Sequence, residues 1–382
     1  MRSVSLDFFR GFTVVLMIIV NNPGSWDYIY SPLDHSIWNG CTPTDLVFPF
    51  FLFAIGNSLS FVMNKYDINN LLIIKILKRF AIIFIIGLFL NWCPFFMYKG
   101  ASIVPKPWHW FNKNGVEQGV RVLGVLQRIA ICYLLASLLI IFTNKKYLWF
   151  ISFAILGFYW LLCFQFGAHN NPFSLQGYFG TEIDKSIIGF AHLYKGEGIP
   201  FDPEGIISNM SAMVEVLFGF LIGNMIIQKE KNYELLSKLL LIGTAFLLLG
   251  YSLDYFFPIN KKIWSSSFTI YTSGLAIIFL SFLIYYFDYK KKTLFITNFF
   301  ISFGKNPLFI FILSGLIPRF MNLIHIKSDD DFVNPLEWLY EHVFQNISKD
   351  FRFGSFLFSL LMVFIYWIVA YVLDKKKIYI KV

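Results

Sequence analysis

Residues 21–49 read NNPGSWDYIYSPLDHSIWNGCTPTDLVFP. This polar and aromatic stretch lies between two apolar runs, at about 6–20 and 44–63. The alternation decides the fold class. A run of roughly twenty apolar residues is what a helix needs to cross hydrocarbon. A connection rich in Asn, Asp, Thr and Trp belongs at the membrane–water boundary.

The same alternation continues along the chain. Of 382 residues, 57% are hydrophobic and 14% charged, where a soluble domain carries about a quarter charged. The 47 phenylalanines do not argue for strands, because a lipid-facing backbone must satisfy its polar groups within its own segment. The expected fold class is an all-α polytopic membrane protein, a bundle of about ten transmembrane helices. The expected spans are 6–20, 44–63, 80–97, 120–142, 147–164, 209–227, 236–255, 268–287, 299–317 and 353–372. An even count puts both termini on one side. Lys65, Lys75, Lys78 and Arg79, then Lys145 and Lys146, Lys229 and Lys231, Lys290 to Lys292, and Lys375 to Lys377 gather there. The positive-inside rule makes that side the cytoplasm. The 21–49 loop and a long polar segment, 167–208, then face outward. The whole chain, 1–382, reads as one transmembrane domain with that extended outer segment, in a bacterial inner (cytoplasmic) membrane.

The net charge of +9 is accounted for by these topology signals, and no zinc-finger spacing or compact basic domain points to nucleic acid. Arg2 precedes the apolar stretch Gly11 to Val20, Asp7 and Arg10 stand at its entrance, and no small-residue cleavage site comes before Asn21, so a retained signal anchor is expected. No strong internal repeat suggests an inverted-repeat transporter. Cys41, Cys93, Cys132 and Cys163 have neither metal-ligand nor disulfide spacing, and no metal site is expected.

Chemistry-bearing residues concentrate in the opening loop. His35 stands beside Asp34 and three residues before Trp38. An imidazole is the side chain suited to take and return a proton near neutral pH, or to carry an acyl group. Asn21 ends the first span, where its amide can cap the helix or donate to a developing oxyanion. Asp45 opens the second span as a first-turn carboxylate or as a catalytic partner. Trp38 and Asn39 are candidates for binding the acceptor. So are Asp202, Glu204 and Asn209, although the DPEG and SNMS stretches also read as turns and caps. Asp7 and Arg10 face each other across one helical turn. Arg10, Gln127, Arg128, Lys305 and Asn306 are candidates for the phosphates of a nucleotide-like cofactor, since charge inside a span pairs or lines a cavity. Arg128 lies near mid-membrane, and Lys305 and Asn306 are better placed for the cytosol. Among the other histidines, His192 is the one rival to His35.

Seven stretches resemble one family in order along the chain: LDFFRGF (6–12), VNNPG (20–24), HSIWNGCTPTDLVFPFFLFAIG (35–56), GVLQRIAICY (124–133), FDPEGIISNMSAM (201–213), NKKIWSSSF (260–268) and FGKNPL (303–308). The pattern from His35 to Gly56 is the long and specific one. The chain resembles the transmembrane heparan-α-glucosaminide N-acetyltransferases, including their NagX-like bacterial members. The resemblance implies transfer of acetyl from cytosolic acetyl-CoA to a terminal glucosamine amine across the membrane. It implies that His35 is the active-site histidine, with Asn21 just upstream and Asp7, Arg10, Gln127 and Arg128 in matching motifs. The implied partners are an amino-sugar or glycan acceptor and the lipid bilayer, with a homodimer left open. The alternative is a permease for amino sugars or their derivatives, in which the buried polar groups bind without reacting.

Overall fold

Thirteen helices in chain order build the fold of this computed structural model, which describes residues 4–65, 70–99, 102–112, 114–228, 232–293, 296–328 and 331–380. They are α1 (Val4–Asn21), α2 (Val47–Met63), α3 (Asn70–Trp92), α4 (Val125–Phe142), α5 (Leu148–Phe166), α6 (Gly180–Ile188), α7 (Asn209–Gln228), α8 (Tyr233–Leu253), α9 (Ser266–Leu283), α10 (Thr297–Lys305), α11 (Pro307–Met321), α12 (Pro335–Leu339) and α13 (Phe351–Lys375). Arg2, Lys229 and Lys231 lie outside the described residues. The strands described are three two-stranded antiparallel hairpins in the connections: Phe96–Lys99 with Ser102–Pro105, His109–Phe111 with Glu117–Gly119, and Ile326–Ser328 with Asp331–Val333.

Among the described residues, eight helices are long and apolar enough to cross a membrane, or nine if the bent pair α10–α11 is one span. The expected third span corresponds to α3, whose 23 residues include Lys75, Lys78 and Arg79 in the first half. The expected ninth span is broken. α10 and α11 meet at 85°, with Pro307 as the first residue of α11. Proline has no N–H to donate and pushes the residue before it out of the helical region, and Asn306 accordingly sits at φ −132°, ψ 48°.

Helix α7 is buried on nearly all sides, as a helix apolar all round should be, and packs against α2, α4, α5 and α9. Small residues set the closest approaches, the usual device where lipid supplies no hydrophobic drive between helices. A Cβ on Gly56 would stand 1.9 Å from the Val216 carbonyl oxygen, and one on Gly304 would stand 1.8 Å from that of Asp7. The second contact docks α10 against the start of α1. From there α1 rises 18 residues to Asn21, about 27 Å at 1.5 Å per residue. One helix thus joins the Lys305 end of the bundle to the His35 end.

Candidate active site

The loop after α1 is held by one buried carboxylate. Asp45 is fully buried. Its Oδ2 accepts from the backbone N–H groups of Ser36 (3.1 Å) and Thr42 (3.0 Å) and from the Thr42 hydroxyl (3.1 Å). Its Oδ1 lies 2.7 Å from His35 Nδ1. A carboxylate in that position holds the proton on Nδ1 and leaves Nε2 as the acceptor. The third member arrives from a distant loop. Lys261 Nζ lies 3.0 and 3.4 Å from the two ring nitrogens of His35 and 3.5 Å from Asp45 Oδ1. Burial draws this ammonium below the ordinary lysine value, while Asp45 and Glu204 pull against it. The Lys261 loop is tied down by Gly40 N–H donating to the Ile259 carbonyl (2.7 Å) and by the Asn260 amide donating to Asn39 Oδ1 (3.1 Å). Beside the cluster, burial and the Asp45 charge push the Cys41 thiol up to about 12, so it offers no thiolate at neutral pH.

A cavity of about 160 Å³ brings His35, Asn21, Glu204 and Lys261 onto one wall system, closed by Phe51, Val125, Ile129 and Phe311 among others. Glu204 is delivered by Arg121, whose guanidinium holds Asp202 at 2.6 and 3.0 Å and also pairs with Glu204. Below, Asp184 on α6 accepts from Ile206 N–H at 2.9 Å and supports the same turn. Burial, with help from nearby Asp202, raises the Asp184 carboxyl to about 7. At the other end of the bundle a cavity of about 460 Å³ is lined by Arg10, Arg79, Tyr133, Lys305 and Tyr379. Phe51 and Ile129 line both cavities.

Residues 2–180 match the family described as "Heparan-alpha-glucosaminide N-acetyltransferase, catalytic". The chain matches this acetyltransferase family. The proteins named Heparan-alpha-glucosaminide N-acetyltransferase from Mus musculus and Homo sapiens are each 23% identical to it, over 431 and 436 residues. Those alignments cover 99% and 100% of this chain, which spans about 60% of the length of either relative.

The acetyltransferase match covers α1 to α5 and therefore Asn21, His35, Asp45, Gln127 and Arg128. The first three meet at the His35 end. Gln127 and Arg128 part company. Gln127 lines a different cavity, with Asn91 and Arg319. Arg128 is buried over the Trp264 ring, 4.8 Å from its centroid, and donates to Ser208 and to the Gly205 carbonyl (3.4 Å). Arg10 and Lys305 line the Lys305-end cavity, where Lys305 also binds Asp374 at 2.6 and 2.8 Å. Asn306 clasps the tail through the Ile378 carbonyl (3.0 Å) and Ile380 N–H (2.8 Å).

The acceptor candidates are likewise spread. Trp38 donates from Nε1 to the Phe173 carbonyl at 2.9 Å, and its ring packs on Phe201. Asn209 caps its own turn by donating to the Gly205 carbonyl at 2.9 Å. Of Trp38, Asn39, Asp202, Glu204 and Asn209, the His35 cavity is lined by Glu204 alone. Sequence reasoning passed over Lys261 and Arg79. The signal for Lys261 was present: two adjacent lysines, 261 and 262, in a loop that the charge pattern puts on the outer side. Arg79 was absorbed into the topology signal.

Proposed function

We propose that this protein is a membrane-bound acetyltransferase. It moves an acetyl group from cytosolic acetyl-CoA to the amine of an amino sugar or glycan at the extracytoplasmic face. The observation that carries this reading is the pair of cavities, one at each end of the bundle, which share Phe51 and Ile129 as lining. Counting α3 with the other candidate spans returns ten crossings. An even count supports both termini on one side, and the lysine clusters on that side support the cytoplasm, with the chain multi-pass in the bacterial inner membrane.

The Lys305-end cavity fits an anionic donor. The Arg79 side chain lines it with a buried Nε that has no hydrogen-bond partner, and Arg10 and Lys305 add two cations suited to phosphate. When bound, acetyl-CoA supplies an activated thioester. At the other cavity, Glu204 accepts a hydrogen bond from the acceptor's amine, which has already given its ammonium proton to solvent and so keeps a lone pair for attack. His35 Nε2 takes its proton as the nitrogen attacks, with Nδ1–H fixed on Asp45. Asn21 and Lys261 donate to the oxyanion that develops. The imidazolium returns its proton to the departing sulfur. Transfer is direct in this scheme, since donor and acceptor approach one thin partition.

The test uses purified protein, labelled acetyl-CoA and a panel of amino sugars. The expected result is N-acetylated sugar from the wild type and about 10²–10⁴-fold slower product from His35→Ala, with donor binding intact in both. An acetylated His35 that forms without acceptor and passes its acetyl group on would replace direct transfer by a two-step route. No transfer to any acceptor, together with sugar uptake into liposomes, would make the protein a permease.

A further inference from the structure

Arg128 is a cation that neither end of the bundle uses. It lies on α4 and lines neither the His35 cavity nor the Lys305-end cavity. Its side chain is buried, and its Nε and Nη1 have no hydrogen-bond partner. A charge held inside a span on these terms is costly. Packing alone would be served as well by an apolar side chain of similar volume.

What Arg128 touches accounts for its presence. On one side its Nη2 donates to the Ser208 hydroxyl and to the Gly205 carbonyl at 3.4 Å. The Ser208 hydroxyl donates to the same carbonyl at 3.0 Å. These residues close the turn 202–208, which carries Glu204 into the His35 cavity. On the other side the guanidinium lies over the Trp264 ring, and Trp264 N–H donates to the Lys261 carbonyl at 3.1 Å. The ring is thus fixed to the turn that carries Lys261. Trp264 stands at φ 51°, a left-handed conformation that is costly for a bulky residue and persists only where neighbours impose it. Those neighbours include Arg128 and the T-shaped partners Phe48 and Phe268, with centroids 5.0 and 5.4 Å away. Arg121 holds the Glu204 turn, and Gly40 and Asn39 hold the Lys261 loop. Each of these serves one loop, whereas Arg128 serves both.

Resting on the acetyltransferase reading above, we propose that Arg128 is a positioning residue of the reaction. One guanidinium fixes the Glu204 turn to the Lys261 loop, so that the acceptor's hydrogen-bond partner and the oxyanion's donor face His35 in one register. A guanidinium suits the task because it donates in its plane while its face stacks on an aromatic ring. A lysine ammonium in the same place cannot do both.

Two measurements on the purified protein test this. The first is a mutant cycle. Arg128→Lys is expected to lower kcat/KM for the amino-sugar acceptor about 10–100-fold, with acetyl-CoA affinity within about twofold of wild type. In a background of Glu204→Gln with Lys261→Met, the same change is expected to cost about threefold or less, because the groups it positions are gone. A full additive loss in that background overturns the proposal, as does a wild-type rate in the single variant. A loss that falls on acetyl-CoA affinity also overturns it and assigns Arg128 to the donor. The second measurement is hydrogen exchange, which needs no turnover. Arg128→Lys is expected to speed amide exchange in both 201–208 and 259–265 while α2 and α7 stay protected. Exchange raised throughout the bundle, or in one loop or neither, overturns the join. If Arg128→Lys does not accumulate, Trp264→Leu carries the test. It removes the stacked ring and leaves the Gly205 and Ser208 contacts, so exchange should rise in 259–265 and kcat should fall; wild-type exchange there overturns the proposal. A wild type that acetylates nothing sinks the acetyltransferase reading, while exchange still decides whether Arg128 joins the two loops.

Discussion

The two ends of the bundle solve opposite problems. At the His35 end, a small cavity is walled by side chains that are each fixed by others: His35 by Asp45, Asp45 by two backbone N–H groups, Glu204 by Arg121. At the Lys305 end the cavity is nearly three times larger, and its cations Arg10, Arg79 and Lys305 come from three separate helices. The first arrangement suits proton transfer, which needs a donor and acceptor held to within a fraction of an ångström. The second suits holding a flexible anion, where charge matters more than angle. On the proposed reading, chemistry and donor binding are assigned to opposite ends, and the two cavities share Phe51 and Ile129 as lining.

That division can be broken by substitution. His35→Ala should lower kcat about 10²–10⁴-fold, the usual contribution of a general base, and leave acetyl-CoA affinity unchanged. A parallel loss of donor affinity would mean the ends are not separate. Asp45→Asn should lower kcat about 10–100-fold by releasing the Nδ1 proton from its carboxylate. It should also lower the melting temperature, because the buried Oδ2 site would lose charge-assisted acceptance from Ser36 and Thr42. At the other end, Arg79→Gln should raise the KM for acetyl-CoA about tenfold at nearly constant kcat; a fall in kcat instead would place Arg79 in the chemistry.

The smallest effect concerns Asp184, whose carboxyl is raised to about 7 by burial. A native group that holds its proton more tightly than the unfolded chain gives stability that is present at acid pH. That stability is lost as pH rises from the ordinary carboxylate range to about 7. The wild-type melting temperature should therefore fall across that window, and Asp184→Asn, which keeps an acceptor for Ile206 N–H, should flatten the fall. A slope unchanged in the variant would clear Asp184 of the effect. At the Lys305 end, Lys305 is met by Asp374, Arg10 by Asp7 and Ser58, and Arg79 by the face of the Tyr133 ring.

Much of this was readable in the chain. Helices and their order follow from apolar run length, and eight of the expected spans recur as single long helices. The break at Asn306–Pro307 was missed because length and hydropathy were weighed above the proline, which forbids a continuous helix there. His35 was legible from its loop and from the long pattern that follows it. Its dependence on Asp45 was half legible, since a first-turn carboxylate also serves the helix dipole. Lys261 was legible only as a basic residue of an outer loop; its contact with His35 was not, because 226 residues separate the two and spacing in sequence carries no contact over that distance. Gln127 and Arg128 are adjacent, yet a helix turns successive side chains about 100° apart, and so the two face different neighbours.

The join between the His35 loop and the Lys261 loop has a consequence for biosynthesis. A multi-pass chain enters the membrane from its N-terminus, and residues 2–180, the stretch of the family match, carry Asn21, His35 and Asp45. Glu204 and Lys261 emerge later, and Gly40 has no Ile259 carbonyl to bind until then. The polar cluster is therefore completed only after α8 has been inserted. Until that moment His35 faces no lysine.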